Sequence, residues 1–390
     1  MTTRLDLSWH DRTSDIPDGL WGACFGPPRE GLFWLRAIEA GTFAGQFRFQ
    51  FGLLHRDGVA IGIVPAFLFD LPLKLVLPPG IARLVMPLAR GPLRRIGYLR
   101  TLFVGNVAGE EGQLGLLAGH VLSELAPFVH GALRAKARAL KAPMLVWKDF
   151  PASERVALDE LARSGRVFRT VSYPGTAIPL VRGGYAAFLR TVRSDRRWKI
   201  NDKLRRGAKA LAVATTIVAQ PGSAELDEIF ALFMQTAARG KTTFERVTPE
   251  FFRTIAASDE STFIVLRDVA SGRMLAFMLL FDLGQRVINQ FIGIDYTAAA
   301  GGFLYFRVFA AAYDWACTTQ AGVMQSGQTG YMAKLDLGHT LIPLWNYCEH
   351  RNPAFNWMYR RVASEISWDT LDVQLAEYLK AHPEARAADT

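Results

Sequence analysis

Three short apolar runs separated by tight turns lie in the second half of this 390-residue chain. They cover residues 262–267, 274–281 and 286–293, with Gly272 and Gly284 in the turns between them. Apolar runs of this length bounded by glycine predict strands, and such short connections join antiparallel neighbours. The pattern predicts an antiparallel meander, which restricts the fold to classes that contain a mixed or antiparallel sheet.

Helical and strand patterns alternate around the meander. Two amphipathic helices are predicted before it, at 223–238 and 249–257. The patterns after it are helix, strand, helix and strand, at 302–317, 323–325, 329–337 and 341–348. The second half therefore contains both kinds of element in one compact order.

The first half is also mixed. Asp57-Gly58 joins apolar runs at 46–55 and 59–69, which predicts a hairpin. Helices are predicted at 31–40 and 112–140, and a buried strand at 144–147. The fold class is therefore α/β (α+β), with mixed, mainly antiparallel sheets flanked by helices.

Length and composition exclude several classes of protein. One core stops growing near 250–300 residues, so we predict an N-terminal domain over 1–175 and a C-terminal domain over 176–390. Half of the residues are apolar and 21% are charged, which excludes disordered, collagenous and coiled-coil chains. Charges interrupt the longest apolar stretches and the N-terminus has no signal-peptide pattern, so we predict neither a membrane span nor secretion.

Charge and cysteine usage indicate compartment and partners. The three cysteines lie far apart without metal-ligand spacing, so we expect reduced thiols, no metal and a cytoplasmic location. They are Cys24, Cys317 and Cys348. The net charge of +9 favours anionic partners, which include coenzyme A, an acidic carrier protein, RNA and a membrane surface.

The strongest charge anomaly lies at 182–210, where ten Lys and Arg residues stand against two Asp residues. On a helix, four of these cations recur at three or four residues and form one basic stripe, suited to phosphate groups. The stripe consists of Arg196, Lys199, Lys203 and Arg206. We expect the apolar residues Trp198, Ile200 and Leu204 to anchor other faces. The alternative is a solvated helix face.

A second basic segment lies in the first half. Residues 71–109 contain no acidic side chain, while cations are spread among apolar residues and prolines. The cations are Lys74, Arg83, Arg90, Arg94, Arg95 and Arg100. Two interpretations stay open for 71–100: an irregular connection that covers the core, or a surface that contacts an acyl chain or a membrane.

Three stretches of the second half resemble a known family. They are SDRRWKINDKLRRGAK, FIGIDYTAAAGGFLYFRVFAAAYDWA and MQSGQTGYMAKLDLGHTLIPLWNYCEHRNPAFN. The last has a G-x-x-x-Y-x-x-K-x-x-x-G spacing at Gly327, Tyr331, Lys334 and Gly338. With the order of elements, residues 185–356 resemble the GNAT acyltransferases, and in particular the Fem-type and related bacterial N-acyltransferases. That family generally carries two such folds in tandem, so the resemblance implies two GNAT-like domains.

The resemblance implies that Lys334 stabilises the oxyanion of a tetrahedral intermediate, because a lysine occupies this position of the Fem-type motif. On a helix, Tyr331 lies three residues before Lys334 on the same face. We therefore predict that the Tyr331 phenol protonates the leaving group. The alternative is that Tyr331 packs in the structure and Lys334 is solvated.

The sequence offers no unique base for an attacking amine. The candidates are Glu245, Asp282, Asp295, His339 and His350. His339 directly follows the helix that carries Tyr331 and Lys334, so we include it with them as a predicted catalytic residue, although a lone histidine is often structural. The residues expected to line the substrate cleft are Gln290, Asp295, Gln325 and Gln328.

A glycine pair opens the helix after the meander. Gly301 and Gly302 would let backbone N–H groups approach a pyrophosphate, so we add them to the basic stripe as predicted donor-binding residues. The segment lacks the Arg or Gln that begins the usual GNAT phosphate loop, a Q/R-x-x-G-x-G/A pattern. This departure leaves acyl-coenzyme A, an acyl-carrier protein and an aminoacyl-tRNA open as donors.

Together these expectations predict an N-acyltransferase. It would move an acyl group, long chains included, from a coenzyme A or acyl-carrier-protein thioester to an amine on a small molecule, peptide or lipid precursor. The alternatives are aminoacyl-tRNA-dependent amino-acid transfer to a peptidoglycan precursor and a non-catalytic GNAT-like binding module. We expect a cytoplasmic protein with peripheral contact at the inner face of the membrane. The sequence has no GxSxG, Walker, HExxH or dinucleotide motif, which argues against other chemistries.

Overall fold

The computed structural model describes residues 4–41, 45–73, 97–163, 165–239, 246–298 and 302–388. Within these ranges the chain forms two mixed, mainly antiparallel sheets flanked by helices, and the predicted fold class is confirmed. The strands are β1 (Leu5–His10), β2 (Arg48–Arg56), β3 (Val59–Pro72), β4 (Tyr98–Val104), β5 (Gly115–Leu116), β6 (Met144–Pro151), β7 (Phe168–Val171), β8 (Gly175–Pro179), β9 (Val213–Val218), β10 (Ser261–Asp268), β11 (Met274–Asp282), β12 (Arg286–Ile294), β13 (Val323–Gln325), β14 (Thr340–Ile342) and β15 (Leu344–His350).

The helices cover the faces of these sheets. They are α1 (Asp18–Cys24), α2 (Leu32–Gly41), α3 (Leu122–Ala139), α4 (Arg155–Arg163), α5 (Gly184–Thr191), α6 (Ser194–Ala210), α7 (Ser223–Ala237), α8 (Pro249–Ala256), α9 (Leu304–Ala316), α10 (Tyr331–Leu337), α11 (Pro353–Ala363), α12 (Trp368–Leu371) and α13 (Val373–Ala381). No helix of the described residues is both long and apolar enough to cross a bilayer.

The two sheets share one strand pattern. The first has the order β1-β2-β3-β4-β6-β15-β7, with β5 beside β3, and the second has the order β9-β10-β11-β12-β13-β8-β14. In each sheet four antiparallel strands precede one parallel pair, β4 with β6 or β12 with β13. Two further antiparallel strands complete each sheet. The halves of the chain are therefore alike in topology.

The sheets also exchange strands. β8 lies between β13 and β14 in the second sheet, and β15 lies between β6 and β7 in the first. The single final strand predicted at 341–348 is therefore wrong. Pro343, which has no backbone N–H, separates β14 from β15, and the two strands belong to different sheets. Because each sheet contains a strand from the other half, the two halves depend on each other.

Several local predictions are confirmed. β2 and β3 form the predicted hairpin, and Asp57 and Gly58 both have positive φ (52° and 82°), as its two-residue turn requires. β10, β11 and β12 form the predicted meander. The helix predicted at 112–140 is wrong over its first residues, because α3 begins at Leu122. Upstream of it, Gly115 belongs to β5 and lies so close to Phe25 that a Cβ would collide with that ring.

Some predictions fall on residues that the structure leaves undescribed. Residues 74–96, most of the acid-free segment, lie outside the described residues, as do Glu245 and Gly301. The end of the segment forms β4, which pairs with β3 and β6. The acyl-chain or membrane contact predicted for 71–100 stays a prediction.

One apolar cluster joins the two halves. It combines side chains of the first sheet and α2 with side chains of the second sheet and α8. Trp34 of α2 packs edge-on against Phe251 of α8, with ring centroids 5.6 Å apart, and contacts Phe281 of β11 at 5.8 Å. Gly41, the last residue of α2, lies against the backbone of Phe251, where a Cβ would collide. This close approach fixes the distance between the halves.

We expect Gly41→Ala to destabilise the protein by about 1–3 kcal/mol or more, because the added methyl group meets backbone that cannot move away by a rotamer change. Gly22→Ala in α1 is the matched control, since a Cβ there has no atom within 4 Å. It should be neutral or stabilising by up to about 1 kcal/mol. Urea unfolding measures both, and equal stabilities would contradict the close α2–α8 contact.

Candidate functional site

The second sheet splits between β12 and β13. The two strands pair in parallel only over 286–288 and 323–325, and β12 then continues to Ile294. Gln290 is the extra residue of a bulge against β11 just beyond the last parallel pair. A split of this kind exposes backbone and side-chain polar groups that a continuous ladder would cover.

A loop of the first half enters this split. The loop, residues 105–113, connects β4 to β5. Gln290 Nε2 donates to the Ala108 carbonyl oxygen at 3.0 Å, and the Gly327 N–H donates to Glu110 Oε2 at 2.9 Å. Gln328 Nε2 lies 3.4 Å from the Glu110 carbonyl oxygen. Both halves of the chain therefore build the site.

Glycines and one buried carboxylate set the path of this loop. Gly105 has a φ of 112°, which favours glycine, and a Cβ at Gly112 would collide with the Lys148 carbonyl oxygen. The Glu110 N–H donates to Oε1 of the buried Glu30 at 2.9 Å. These contacts direct the Glu110 side chain toward the second half.

Lys334 reaches the same point from α10, a helix bounded by left-handed glycines at both ends. Its Nζ donates to the Ser326 carbonyl oxygen. A Cβ at Gly327 would lie 3.5 Å from Glu110 Oε1 and 3.7 Å from Lys334 Nζ. The carboxylate and the amine therefore both lie beside Gly327, one from each half of the chain.

Burial opposes the charge on both of these side chains. Removal from water raises the pKa of Glu110, an effect that the Lys334 ammonium partly offsets. Removal from water lowers the pKa of Lys334, an effect that the Glu110 carboxylate partly offsets. Both side chains can therefore change protonation near neutral pH, as groups that pass protons to and from a substrate do.

Arg286 organises the neighbouring carboxylates. Its Nη1 donates to Gln325 Oε1 at 2.6 Å and lies 3.3 Å from Glu111 Oε2, while its Nε donates to the Pro28 carbonyl oxygen at 2.6 Å. Glu30 Oε2 lies 4.0 Å from Arg286 Nη2 and has no hydrogen bond within the described residues. Burial raises the pKa of Glu30 to about 8, so this carboxyl group tends to hold a proton at neutral pH.

His339 fixes the loop that carries Gly327. Its Nδ1 lies 2.9 Å from the Lys334 carbonyl oxygen and its Nε2 lies 2.9 Å from Ser326 Oγ. Because a carbonyl only accepts, Nδ1 carries the proton and Nε2 accepts from the Ser326 hydroxyl. Asn289 Nδ2 donates to the same Oγ at 3.4 Å. Burial, with Lys334 nearby, lowers the pKa of His339 to about 3, so the ring is neutral and suited to positioning.

Tyr331 shares α10 with Lys334 but lies in other surroundings. Its hydroxyl donates to the Pro174 carbonyl oxygen at 2.9 Å, and its ring packs with Leu335 and Trp368. Burial raises the pKa of Tyr331. Its described hydrogen bond anchors α10 to the segment before β8, and its role as a proton donor stays a prediction.

The basic helix α6 packs beside the start of α9. Gly207 of α6 faces Gly302 so closely that a Cβ at Gly207 would lie 2.6 Å from the Gly302 carbonyl oxygen. Lys203 Nζ lies 4.1 Å from the ring centroid of Phe306, and Arg206 Cζ lies 5.2 Å from that of Phe303. Two cations of the stripe thus flank the first turn of α9, whose unpaired N–H groups favour an anion.

The rest of α6 presents a cationic surface. Lys199 is exposed and Arg196 is half-buried. Ile200 and Leu204 face the core, as predicted. The prediction that Trp198 anchors the helix is wrong, because its side chain is 66% exposed.

The other predicted bases have local partners. Asp295 is buried and accepts from the N–H and hydroxyl of Thr297 at 2.8 and 2.6 Å. Its burial raises the pKa, but these hydrogen bonds outweigh that effect, so the pKa of Asp295 is lowered. Asp282 accepts the Gly284 N–H at 2.9 Å, and His350 Nδ1 lies in a turn at the start of α11.

The central carboxylates of the site were not predicted. Glu110 and Glu111 are the first acidic residues after the acid-free stretch 71–109, and they stand between two glycines. This pattern is the sequence feature that could have indicated a functional loop. Three of the four predicted cleft residues meet this loop, whereas Asp295 hydrogen-bonds to Thr297 instead. Gln325 Nε2 donates to Glu111 Oε1 at 3.1 Å. Gln290 and Gln328 contact the loop as described above.

Comparison with known proteins identifies a domain and a fold. Residues 194–319 match the family model of the acetyltransferase (GNAT) domain. The solved structure of FemX aligns with a TM-score of 0.57 and 12% identity, over 90% of this chain and 100% of that chain. L-PGS from Bacillus licheniformis aligns with a TM-score of 0.51 and 10% identity, over 88% and 99%. A conserved protein of unknown function from Bacteroides thetaiotaomicron VPI-5482 aligns with a TM-score of 0.53 and 12% identity, over 88% and 100%.

At these identities the solved structures show the fold alone, and no curated protein sequence matches the chain. The predicted resemblance to Fem-like GNAT acyltransferases with tandem domains is confirmed at the level of domain and fold. The GNAT domain supports an enzyme that transfers acyl groups.

The buried Glu30 carboxyl predicts a pH dependence of stability. Its pKa is raised from 4.5 to about 8 on folding. Between these pH values the folded state therefore keeps a proton that the unfolded state has already lost. This group therefore makes the free energy of unfolding fall as pH rises, by up to about 1.4 kcal/mol per pH unit. We expect Glu30→Gln to make the slope shallower in urea unfolding across this range. The same slope in both proteins would contradict a protonated Glu30.

Proposed function

We propose that this GNAT-domain protein transfers an acyl group from a carrier thioester to an amine at the junction of its two halves. The donor would be acyl-coenzyme A or an acyl-carrier protein, and the acceptor an amine on a small molecule, peptide or lipid precursor. The observation that carries the proposal is that Glu110 and Lys334, from different halves of the chain, both approach Gly327. A cytoplasmic location belongs to the proposal and agrees with the free thiols of the three cysteines.

The reaction needs a neutral amine and a polarised carbonyl. The amine nitrogen attacks the thioester carbon, a C–N bond forms, and negative charge develops on the carbonyl oxygen. Collapse of this intermediate breaks the C–S bond and releases the carrier as a thiolate. The nitrogen loses one proton, and the departing sulfur gains one.

Two side chains from different halves meet these needs. In the proposed mechanism the Lys334 ammonium stabilises the oxyanion, and the Glu110 carboxylate takes the proton from the attacking amine. That proton ends on the departing thiol. Low surrounding polarity strengthens both interactions, because the charges are little screened by water.

Neighbouring residues would position this pair rather than react. We assign His339 a positioning role, since its neutral ring connects the Lys334 carbonyl to Ser326. Tyr331 would anchor α10 through Pro174. Protonation of the leaving group by Tyr331 remains a second option, which requires its hydroxyl to leave the Pro174 carbonyl.

The donor phosphates are assigned to the start of α9. Gly302 lies there, with Lys203 and Arg206 of α6 beside the first turn. Arg196 and Lys199 extend the positive surface along α6 and would contact an acidic carrier. Gly301 belongs to the same proposal on sequence grounds alone.

Aminoacyl-tRNA as the donor is the second candidate. The exposed Trp198 on a helix with many cations favours it, because aromatic and basic side chains together suit RNA. Salt separates the candidates, since binding to a long polyanion weakens steeply with ionic strength. A non-catalytic module would bind a donor and leave it unreacted.

We expect Lys334→Met to lower kcat by about 10²–10³-fold, because the oxyanion loses its charged partner, while donor affinity stays within about twofold. Steady-state kinetics with an acyl thioester and a panel of amines, combined with donor titration, measures both quantities. Lys380→Met, at an exposed lysine of α13, is the matched control and should retain full activity. An unchanged kcat in Lys334→Met would remove this residue from the mechanism.

The pH profile tests Glu110. Because burial raises its pKa, we expect kcat of the natural protein to rise with pH through the neutral range as the carboxyl ionises. Activity should fall again at alkaline pH, where Lys334, with its lowered pKa, loses its proton. Glu110→Gln should reduce kcat by about 10²-fold and abolish the rising limb. If this variant keeps both limbs, another group is the base.

A further inference from the structure

Helix α11 turns apolar side chains toward solvent. Trp357 is 68% exposed and Phe355 is 51% exposed, while Asn356 and Ala363 form the buried face. At 100° per residue, Met358 lies between the two aromatic positions on the outer side. Ala363 and Tyr359 pack against the apolar core beside the polar Asn356, and the helix also presents a mostly apolar face to solvent.

Hydrogen bonds lock this orientation. The Asn356 side chain donates to the Arg166 carbonyl oxygen at 2.8 Å and accepts from the His350 N–H at 2.7 Å. Arg360 Nη2 donates to the Val167 carbonyl oxygen at 3.0 Å. Rotation of α11 to hide its aromatic side chains would leave buried polar groups without partners. The exposed apolar face is consequently a fixed property of the fold.

Cations surround this face. Arg360 and Arg361 occupy the last turn of α11, and Arg351 lies two residues before the helix. A shallow pocket continues the positive surface from Arg351 across α3 and the segment before β7. Its charged lining residues are Arg134, Arg138, Arg166, Arg351 and Glu349.

The pocket has an excess of positive charge. Glu349 is its one acidic lining residue, and it pairs with Arg134 Nε at 3.3 Å and Arg166 Nε at 3.7 Å. One carboxylate cannot neutralise four guanidinium groups. The pocket and the rim of α11 together attract anions.

We propose that α11 and the adjoining arginine pocket form a docking surface for an anionic phospholipid bilayer. Exposed Trp and Phe side chains suit the headgroup level of a membrane, and arginine stems can lie along acyl chains while their charges reach phosphates. Two copies of this face, brought together, would juxtapose their arginines, which disfavours self-association. The proposal is independent of the Glu110–Lys334 site, and it gives a membrane contact on residues other than 71–100.

Vesicle flotation tests the surface. The full chain is mixed with vesicles of phosphatidylcholine alone or with phosphatidylglycerol added, at low and high salt. We expect binding to the phosphatidylglycerol vesicles that weakens with salt. The double variant Phe355→Ser/Trp357→Ser should lower partitioning by about 100-fold, because two large apolar side chains no longer enter the interface. Val156→Ser/Val269→Ser, at exposed apolar residues elsewhere, is the matched control and should bind like the natural protein.

A second variant, Arg361→Gln, keeps the apolar face and should reduce the preference for phosphatidylglycerol. Circular dichroism and thermal melting identify variants that fold normally. Binding that survives Phe355→Ser/Trp357→Ser, or failure of the natural protein to bind phosphatidylglycerol vesicles, overturns the proposal. A dimer that dissociates on Trp357→Ser would reassign the face to a contact between copies. Acyl transfer to a soluble amine should be the same in all folded variants, so this test and that of the proposed function fail separately.

Discussion

The arrangement on which the site depends is the approach of Glu110 and Lys334 to the same residue, Gly327. A charge on either side chain alone would be unfavourable in this buried position, because an unpaired buried charge costs several kcal/mol. Each lies on a different half of the chain, and a Cβ at residue 327 would lie 3.5 Å from Glu110 Oε1 and 3.7 Å from Lys334 Nζ. The pair therefore exists only when both halves are folded and correctly spaced, which makes the chemistry a property of the whole molecule.

The architecture supplies that spacing. Strands β8 and β15 are exchanged between the sheets at corresponding positions, and α2 packs against α8 without room for a methyl group at Gly41. The split between β12 and β13 makes the opening that the 105–113 loop fills. Arg286 and His339 then hold the carboxylates and the Gly327 loop in place. Each of these features contributes to the positions of Glu110 and Lys334.

Patterns local in the chain predicted much of this fold. The Asp57-Gly58 hairpin and the meander depend on turn chemistry and alternation within about ten residues, so the sequence contains them. The exchange of β15 and the approach of Glu110 to Gly327 join residues about 200 positions apart. Local hydrophobic periodicity contains no information on contacts between residues so distant in the chain. For the same reason, Lys334 was found through a motif whereas its partner Glu110 was missed. The helix predicted from 112 failed because apolar spacing does not register the close approach of Gly115 to Phe25.

The central claim is that a carrier thioester binds this protein and reacts at the junction of its halves. Native mass spectrometry of the freshly purified protein, titrated separately with acyl-coenzyme A, acyl-carrier protein and aminoacyl-tRNA, tests it most directly. We expect a saturable complex with an acyl thioester that turns over when an amine is added. Binding of tRNA alone, or of none of the three donors, would contradict it.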